Sequence, residues 1–348
     1  MDTGRLSQLV EAYRSAPPEY RATSYWQAYE DEIVSTIPDL DLDQLRSGRY
    51  PILSKIGFHD VVYPSAGTAS IWKRGLSRLA ERLGISGPAA LPYGLDLRAI
   101  REAAYRHCEL AGTAAAARPV SDIEMSIFGN PADLFEIDGR RYSVHFLAYY
   151  LRYAFAHRYV PLKGDEIVVE LGPGSGHQIE VLKKLYPDLT VLCFDLPAHV
   201  FLCQAYLTEA LSPEMLLGTD ATVGWTDLSG LRKGHVHFFG NWQFPLIEGL
   251  EVDVFWNAAS FGEMEPDVVQ NYLRSVAGNA RWIYLLQARS GKETAGKARV
   301  RTPIAFADYV RFLPGHELCA EEDAWLPHRR MSQSGGYFQA VWRKSSDA

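Results

Sequence analysis

The sequence predicts an α/β protein, a mainly helical N-terminal region followed by a mostly parallel sheet with helices on both faces. Three observations carry this reading. After Pro161, short apolar runs rich in β-branched residues alternate with stretches of helical spacing, the pattern of a parallel sheet covered on both sides. Before Pro161, apolar residues recur mostly at helical intervals. Of 348 residues, 47% are hydrophobic and 22% charged, so the chain can bury a sizeable core without disulfide or metal staples. The expected division is a helical cap or docking region over residues 1–160 and a sheet-bearing catalytic region over residues 161–348.

In the first region the spacing predicts helices over residues 24–37, 69–84, 97–110 and 143–159. Pro38 stops the first and Gly84 the second. Phe128-Gly129-Asn130-Pro131 is a turn signature, and Phe135 to Tyr142, centred on Asp138-Gly139, reads as a small hairpin. In the second region, strands are expected at 166–171, 190–194, 236–239, 252–256, 281–287 and 336–343. Helices are expected between them at 177–186, 198–211 and 266–277. No internal repeat or low-complexity tract interrupts the pattern.

Composition excludes several classes of function. Lys and Arg total 35 against 42 acids, a formal charge of -7, which disfavours a partner with a phosphate backbone. No apolar run approaches the ~20 residues of a membrane span. The opening MDTGRLSQLVEAYRS lacks the apolar core of a secretory signal. Cys108, Cys193, Cys203 and Cys319 stand singly, with no CxxC pair and no zinc spacing, as in a reducing cytoplasm. No metal site is expected. His235 and His237 share a strand face, but no carboxylate clusters with them in sequence.

The sharpest signal is Val169-Glu170-Leu171-Gly172-Pro173-Gly174-Ser175-Gly176-His177, which leaves an apolar strand and opens a helix. Glycines there allow positive φ and close approach to a ligand, and the helix start presents amides to an anion. Dinucleotide enzymes use GxGxxG, but here His177 holds the third glycine position and the spacing is GxGxG. Glu170, directly before the turn, would repel a pyrophosphate and accept a cationic amine. Both details favour S-adenosylmethionine, whose amino-acid end is zwitterionic, over NAD. Asp195, in Phe194-Asp195-Leu196-Pro197 at the end of the second strand, is placed for two ribose hydroxyls. The plainer reading of Asp195 is a cap for the following helix.

ELGPGSG followed by FDLP resembles the class I S-adenosylmethionine-dependent methyltransferases, from about Pro161 to the C-terminus. Adding Ile127-Phe128-Gly129-Asn130-Pro131 and Ser260-Phe261-Gly262-Glu263-Met264, the chain resembles the bacterial sugar O-methyltransferases of natural-product and cell-surface glycan clusters. Pro173 and Ser175 depart from the glycines common in such loops without blocking the turn. The resemblance implies a Rossmann-like sheet with an antiparallel last strand. It implies that Glu170, Gly172, Gly174 and Gly176 hold the methionine end of the cofactor, with Asp195 on the ribose and Leu196 against the adenine. Asn241 and Trp242 follow the third strand, where an amide and a stacking face would meet the adenine. Trp242 reads equally well as a buried aromatic. Asn257 ends the fourth strand, near the sulfonium and the nucleophile, and the Pro-Pro-aromatic signature of N-methylating enzymes is absent after it.

Methylating a hydroxyl needs oxygen, methyl and sulfur in line and a place for the proton. Glu263 is the first candidate base, with helix capping ahead of Pro266 as its alternative, and His328 is the second. The expected partner is a small-molecule acceptor: a sugar, a sugar nucleotide or a glycoside. Nucleic acid and membrane are not expected, and the assembly, monomer or homodimer, is left open. The alternatives are a non-sugar natural-product O-methyltransferase, a nicotinamide oxidoreductase, and a non-catalytic binding module.

Overall fold

The structure is a computed structural model and describes residues 3–58, 97–292, 299–325 and 336–345. Helix α1 (Thr3–Arg14) is followed by α2 (Ser24–Gln27) and α3 (Glu30–Thr36). The single helix expected over residues 24–37 is therefore broken, with Tyr29 outside helical geometry at φ -123°. Around the break Tyr25, Trp26 and Tyr29 pack edge to face, with centroids 5.4 to 6.2 Å apart.

Helices α4 (Leu97–Ala114) and α5 (Val144–His157) form where the spacing places them. The hydroxyl of Ser143 caps α5, accepting from the Phe146 amide at 3.0 Å. Before α5, β1 (Phe135–Ile137) and β2 (Arg140–Tyr142) make the expected hairpin. Its turn residues Asp138 and Gly139 both hold positive φ, 50° and 75°, as a two-residue hairpin turn requires. The helix expected over 69–84 lies outside the described residues.

The second region runs β3 (Ile167–Leu171), α6 (His177–Leu185), β4 (Thr190–Asp195), α7 (Pro197–Ala210), β5 (Leu216–Leu217), α8 (Thr219–Thr222) and β6 (Val236–Gly240). It continues with β7 (Val252–Ala258), α9 (Pro266–Asn279), β8 (Ala280–Ala288), α10 (Phe306–Phe312), β9 (His316–Asp323) and β10 (Tyr337–Lys344). Eight of these strands form one sheet in the order β5-β6-β4-β3-β7-β8-β10-β9. From β5 to β8 every pairing is parallel, and β10 runs antiparallel to both β8 and β9. This is the Rossmann-like α/β arrangement with an antiparallel end. The edge strand β9 has no counterpart in the sequence reading. Its residues, HELCAEED, carry four acids and are largely exposed. An edge strand protected by charge lacks the apolar run that reveals a central one.

Side chains alternate across β3. Val169 and Leu171 join the cluster with Tyr272, Leu273 and Val276 of α9, while Val168 faces the cluster built from α5, α6 and α7. Glu170 shares the side of Val168, so an acid sits on an otherwise apolar, buried face. From β3 the chain steps outward through β4 to β6, then returns to pair β7 with the other edge of β3. That reversal opens a crevice beyond the carboxyl ends of the strands, the place where open α/β sheets bind ligands.

Candidate functional site

A cavity of about 510 Å³ occupies that crevice. Its floor is Glu170 to Ser175, Asp195 and Leu196, and Ala258 to Ser260; the N-terminal segments 21–26 and 54–57 close over it. The turn after β3 holds Gly172, Gly174 and Gly176 at φ of 74°, 55° and 82°. A Cβ on Gly172 would lie 2.5 Å from Ser260, and one on Gly174 2.8 Å from the carbonyl of Ile56. The missing side chains thus let other protein segments approach the turn. All three glycine amides are also engaged inside the protein. Gly172 donates to Phe194 O at 2.8 Å, Gly174 to Asp195 Oδ2 at 3.1 Å, and Gly176 to Pro173 O at 3.0 Å. With these three amides engaged, the turn lacks the free glycine donors of a pyrophosphate cradle.

Glu170 is buried, and its Oε2 has no hydrogen-bond partner. Burial pushes its carboxyl up to about 8, with Arg152 opposing the shift and Asp195 adding to it. A buried, unbonded carboxyl is costly unless a ligand completes it, and a cation or a hydrogen-bond donor would do so. At the other end of the cavity Asn241 donates to Tyr20 O and to Tyr272 Oη (2.9 Å), leaving its Oδ1 without a partner. That oxygen is an acceptor suited to an amino group.

Asp195 ends β4 between several donors. Its Oδ1 accepts from the Leu196 amide at 2.8 Å and faces His199 Nδ1 at 3.2 Å, while its Oδ2 takes the Gly174 amide. The carboxylate therefore braces the glycine turn while lining the cavity with acceptor capacity to spare. His199 Nε2 lies 3.6 Å from Glu30 Oε2. Burial opposes a charge on His199, but Asp195 and Glu30 outweigh it and the imidazole pKa is raised.

Glu263 also lines the cavity. Its Oε2 accepts from Trp26 Nε1 at 3.1 Å, and its Oε1 pairs with Lys292 Nζ at 3.1 Å. Burial raises its pKa against the pull of Lys292 and Trp26. The capping alternative is not realised, because Glu265 holds the N-cap position of α9. Trp26 in turn sets its ring edge-on to His199 at 4.3 Å.

Of the residues named from sequence, Glu170, Gly172, Gly174, Asp195, Leu196, Asn241 and Glu263 converge on the cavity. Gly176 stands behind it; a Cβ there would meet Cys203 Sγ at 2.9 Å, so this glycine lets α6 approach α7. Trp242 turns to a separate cleft and packs on Tyr13 at 5.7 Å. Asn257 is fully buried below the floor. Its amide donates to Leu171 O at 2.8 Å and Ser260 Oγ at 2.9 Å, and its Oδ1 accepts from Gln287, so it supports the turn after β7. His328 lies outside the described residues. The sequence reading missed Trp26, Glu30, Arg152, His199 and Lys292. Only His199 leaves a local signal, one helical turn after Asp195.

His237 is buried, accepts the Arg232 amide at 3.0 Å, and has its pKa lowered by burial to about 4. Among the described residues no group of three or more His, Cys, Asp or Glu could hold a metal ion. Cys108, Cys193, Cys203 and Cys319 are unbridged. No helix among the described residues is long and apolar enough to cross a membrane.

No family model matches the chain, and no curated protein matches it. Solved structures similar to it include the mitomycin 7-O-methyltransferase MmcR, at 13% identity and TM-score 0.37 over 52% of this chain and 50% of that one. The chain thus spans half the length of that enzyme. Another is the magnesium protoporphyrin IX methyltransferase of Synechocystis PCC 6803 with bound SAH, at 13% identity and TM-score 0.39 over 56% of this chain and 79% of that one. The DhpI–SAH complex is similar at 14% identity and TM-score 0.35, over 55% and 82%.

Proposed function

We propose that the protein is an S-adenosylmethionine-dependent O-methyltransferase acting on a hydroxyl of a sugar or a glycosylated small molecule. The observation that carries this reading is Glu170, buried, unbonded and facing a cavity that it shares with Asp195 across the GxGxG turn. Glu170 would take the ammonium of the donor, Asp195 the ribose hydroxyls, and Asn241 Oδ1 the adenine amino group, with Leu196 beside the ring. When bound there, the sulfonium supplies an electrophilic methyl for in-line displacement by oxygen. Ser260 and Ala259 border the same space, and Ala259 holds the bend after β7 at φ 66°.

Glu263 is the group proposed to accept the hydroxyl proton. Burial makes its carboxylate a better base, while Lys292 and Trp26 fix its orientation. Tyr25, Trp26 and Tyr337 line the remaining wall, a surface for the C–H face of a sugar ring. A nicotinamide enzyme is disfavoured on two grounds: the glycine amides are occupied, and Glu170 would face a pyrophosphate.

The test incubates the protein with methyl-labelled S-adenosylmethionine and a panel of sugars, sugar nucleotides, glycosides and non-sugar phenols. Gain of one labelled methyl on a sugar hydroxyl supports the reading. Methylation confined to the phenols would move the acceptor to a non-sugar natural product. NAD turnover in place of methyl transfer would overturn the reading.

A further inference from the structure

Arg152 projects from α5 into the same cavity wall as Glu170. Its guanidinium lies over the ring of Tyr149, 4.2 Å from the centroid, and its buried Nε has no hydrogen-bond partner. The two side chains influence each other electrostatically, yet Glu170 Oε2 is likewise without a partner. A buried carboxyl oxygen and a buried guanidinium nitrogen left without partners forgo the hydrogen bonds that offset their desolvation. A third group that satisfies both would restore them.

The turn beside them narrows what that group is. A carboxylate at this end of the cavity finds the amides of Gly172, Gly174 and Gly176 already engaged. Arg152 offers the planar fork that binds a carboxylate through two parallel hydrogen bonds, and stacking on Tyr149 holds that fork in place. A molecule with an ammonium and a carboxylate on one carbon matches Glu170 and Arg152 together.

We propose that Arg152 and Glu170 form a clamp for an α-amino-acid head group, Glu170 taking the ammonium and Arg152 the carboxylate. This rests on the methyl-donor reading and extends it. Arg152 becomes the residue that distinguishes donors retaining the amino-acid end from nucleosides that lack it.

The experiment titrates the full chain calorimetrically with S-adenosylhomocysteine and with 5′-methylthioadenosine, the thioether nucleoside without the amino-acid end. Arg152→Met keeps the stem and removes the fork. It should weaken S-adenosylhomocysteine by about tenfold or more while methylthioadenosine stays within about twofold. Arg152→Lys, which keeps the charge without the fork, should give a smaller loss on S-adenosylhomocysteine alone, and it carries the test if Arg152→Met fails to fold. Equal weakening of both ligands would assign Arg152 a structural role and overturn the clamp, as would unchanged S-adenosylhomocysteine affinity. If the wild type binds both ligands equally, the clamp falls and the donor reading stands; if it binds neither, the donor reading falls with it.

Discussion

The indole N–H of Trp26 donates to the carboxylate of Glu263 at 3.1 Å, joining residues 237 apart in sequence. Around this bond the N-terminal segment docks on the loop after β7, where Thr23 Oγ1 donates to Glu263 O at 3.2 Å, and on the segment after β8, where Ser24 Oγ donates to Arg299 O at 2.9 Å. The same segment packs on His199, itself bonded to Asp195. The segments that close the cavity therefore also orient the groups proposed to act in it.

Replacing Glu263 with Gln should lower turnover by about 100-fold or more while leaving S-adenosylhomocysteine affinity nearly unchanged. The amide still accepts from Trp26 but cannot take a proton. Steady-state kinetics beside titration calorimetry separates the two effects. Near-normal turnover would remove Glu263 as the base and direct the same test to His199.

Asp195→Ala should lose about 2 to 3 kcal/mol of cofactor binding, the scale of hydrogen bonds to a charged acceptor. Because Asp195 also accepts the Gly174 amide, the variant should melt earlier as well. Calorimetric titration and a thermal scan on one preparation check both. A lower melting point with wild-type affinity would leave Asp195 as a brace for the turn and nothing more.

On the proposed reading, Glu170 should make S-adenosylmethionine affinity depend on pH. In the free protein its pKa is raised to about 8, so the carboxyl is mostly neutral near pH 6. An adjacent ammonium favours the carboxylate, so binding releases a proton and affinity rises with pH, by at most about tenfold per unit. Titrations between about pH 6 and about pH 7.5 should show that rise in the wild type and a flat, weaker profile in Glu170→Gln. A slope that survives in the variant would assign the proton to another group.

His199 links stability to pH. Its folded pKa is raised above 6.5, so its contribution is fully present below 6.5 and is lost as pH rises through the folded value. The difference in stability between wild type and His199→Asn should therefore shrink from about pH 6 to about pH 9. Denaturant melts across that range measure it. A difference that grows with pH would contradict the sign.

The parts of the site legible in the sequence are those set by local pattern. Glu170, the three glycines and Asp195 each sit at the end of an apolar strand, where a period of two and a following helix fix their place. Trp26, Arg152 and Lys292 come from distant segments that meet only in the folded chain, and nothing in their local spacing marks them. Trp242 and Asn257 occupy strand ends, as expected, but backbone direction alone does not say which way a side chain turns. Asn257 goes under the floor because Leu171 O and Gln287 need it there. In the fold, buried central strands announced themselves by apolar runs. The acidic edge strand β9 did not, and no Pro or Gly in residues 24–37 marks the break at Tyr29.

The most direct measurement is titration calorimetry of the purified chain with S-adenosylhomocysteine and, separately, with NAD. Saturable one-site binding of S-adenosylhomocysteine and no heat with NAD are expected, because the cavity offers Glu170 to an ammonium and no free glycine amide to a pyrophosphate. Saturable binding of NAD with no response to S-adenosylhomocysteine would contradict the methyl-donor reading.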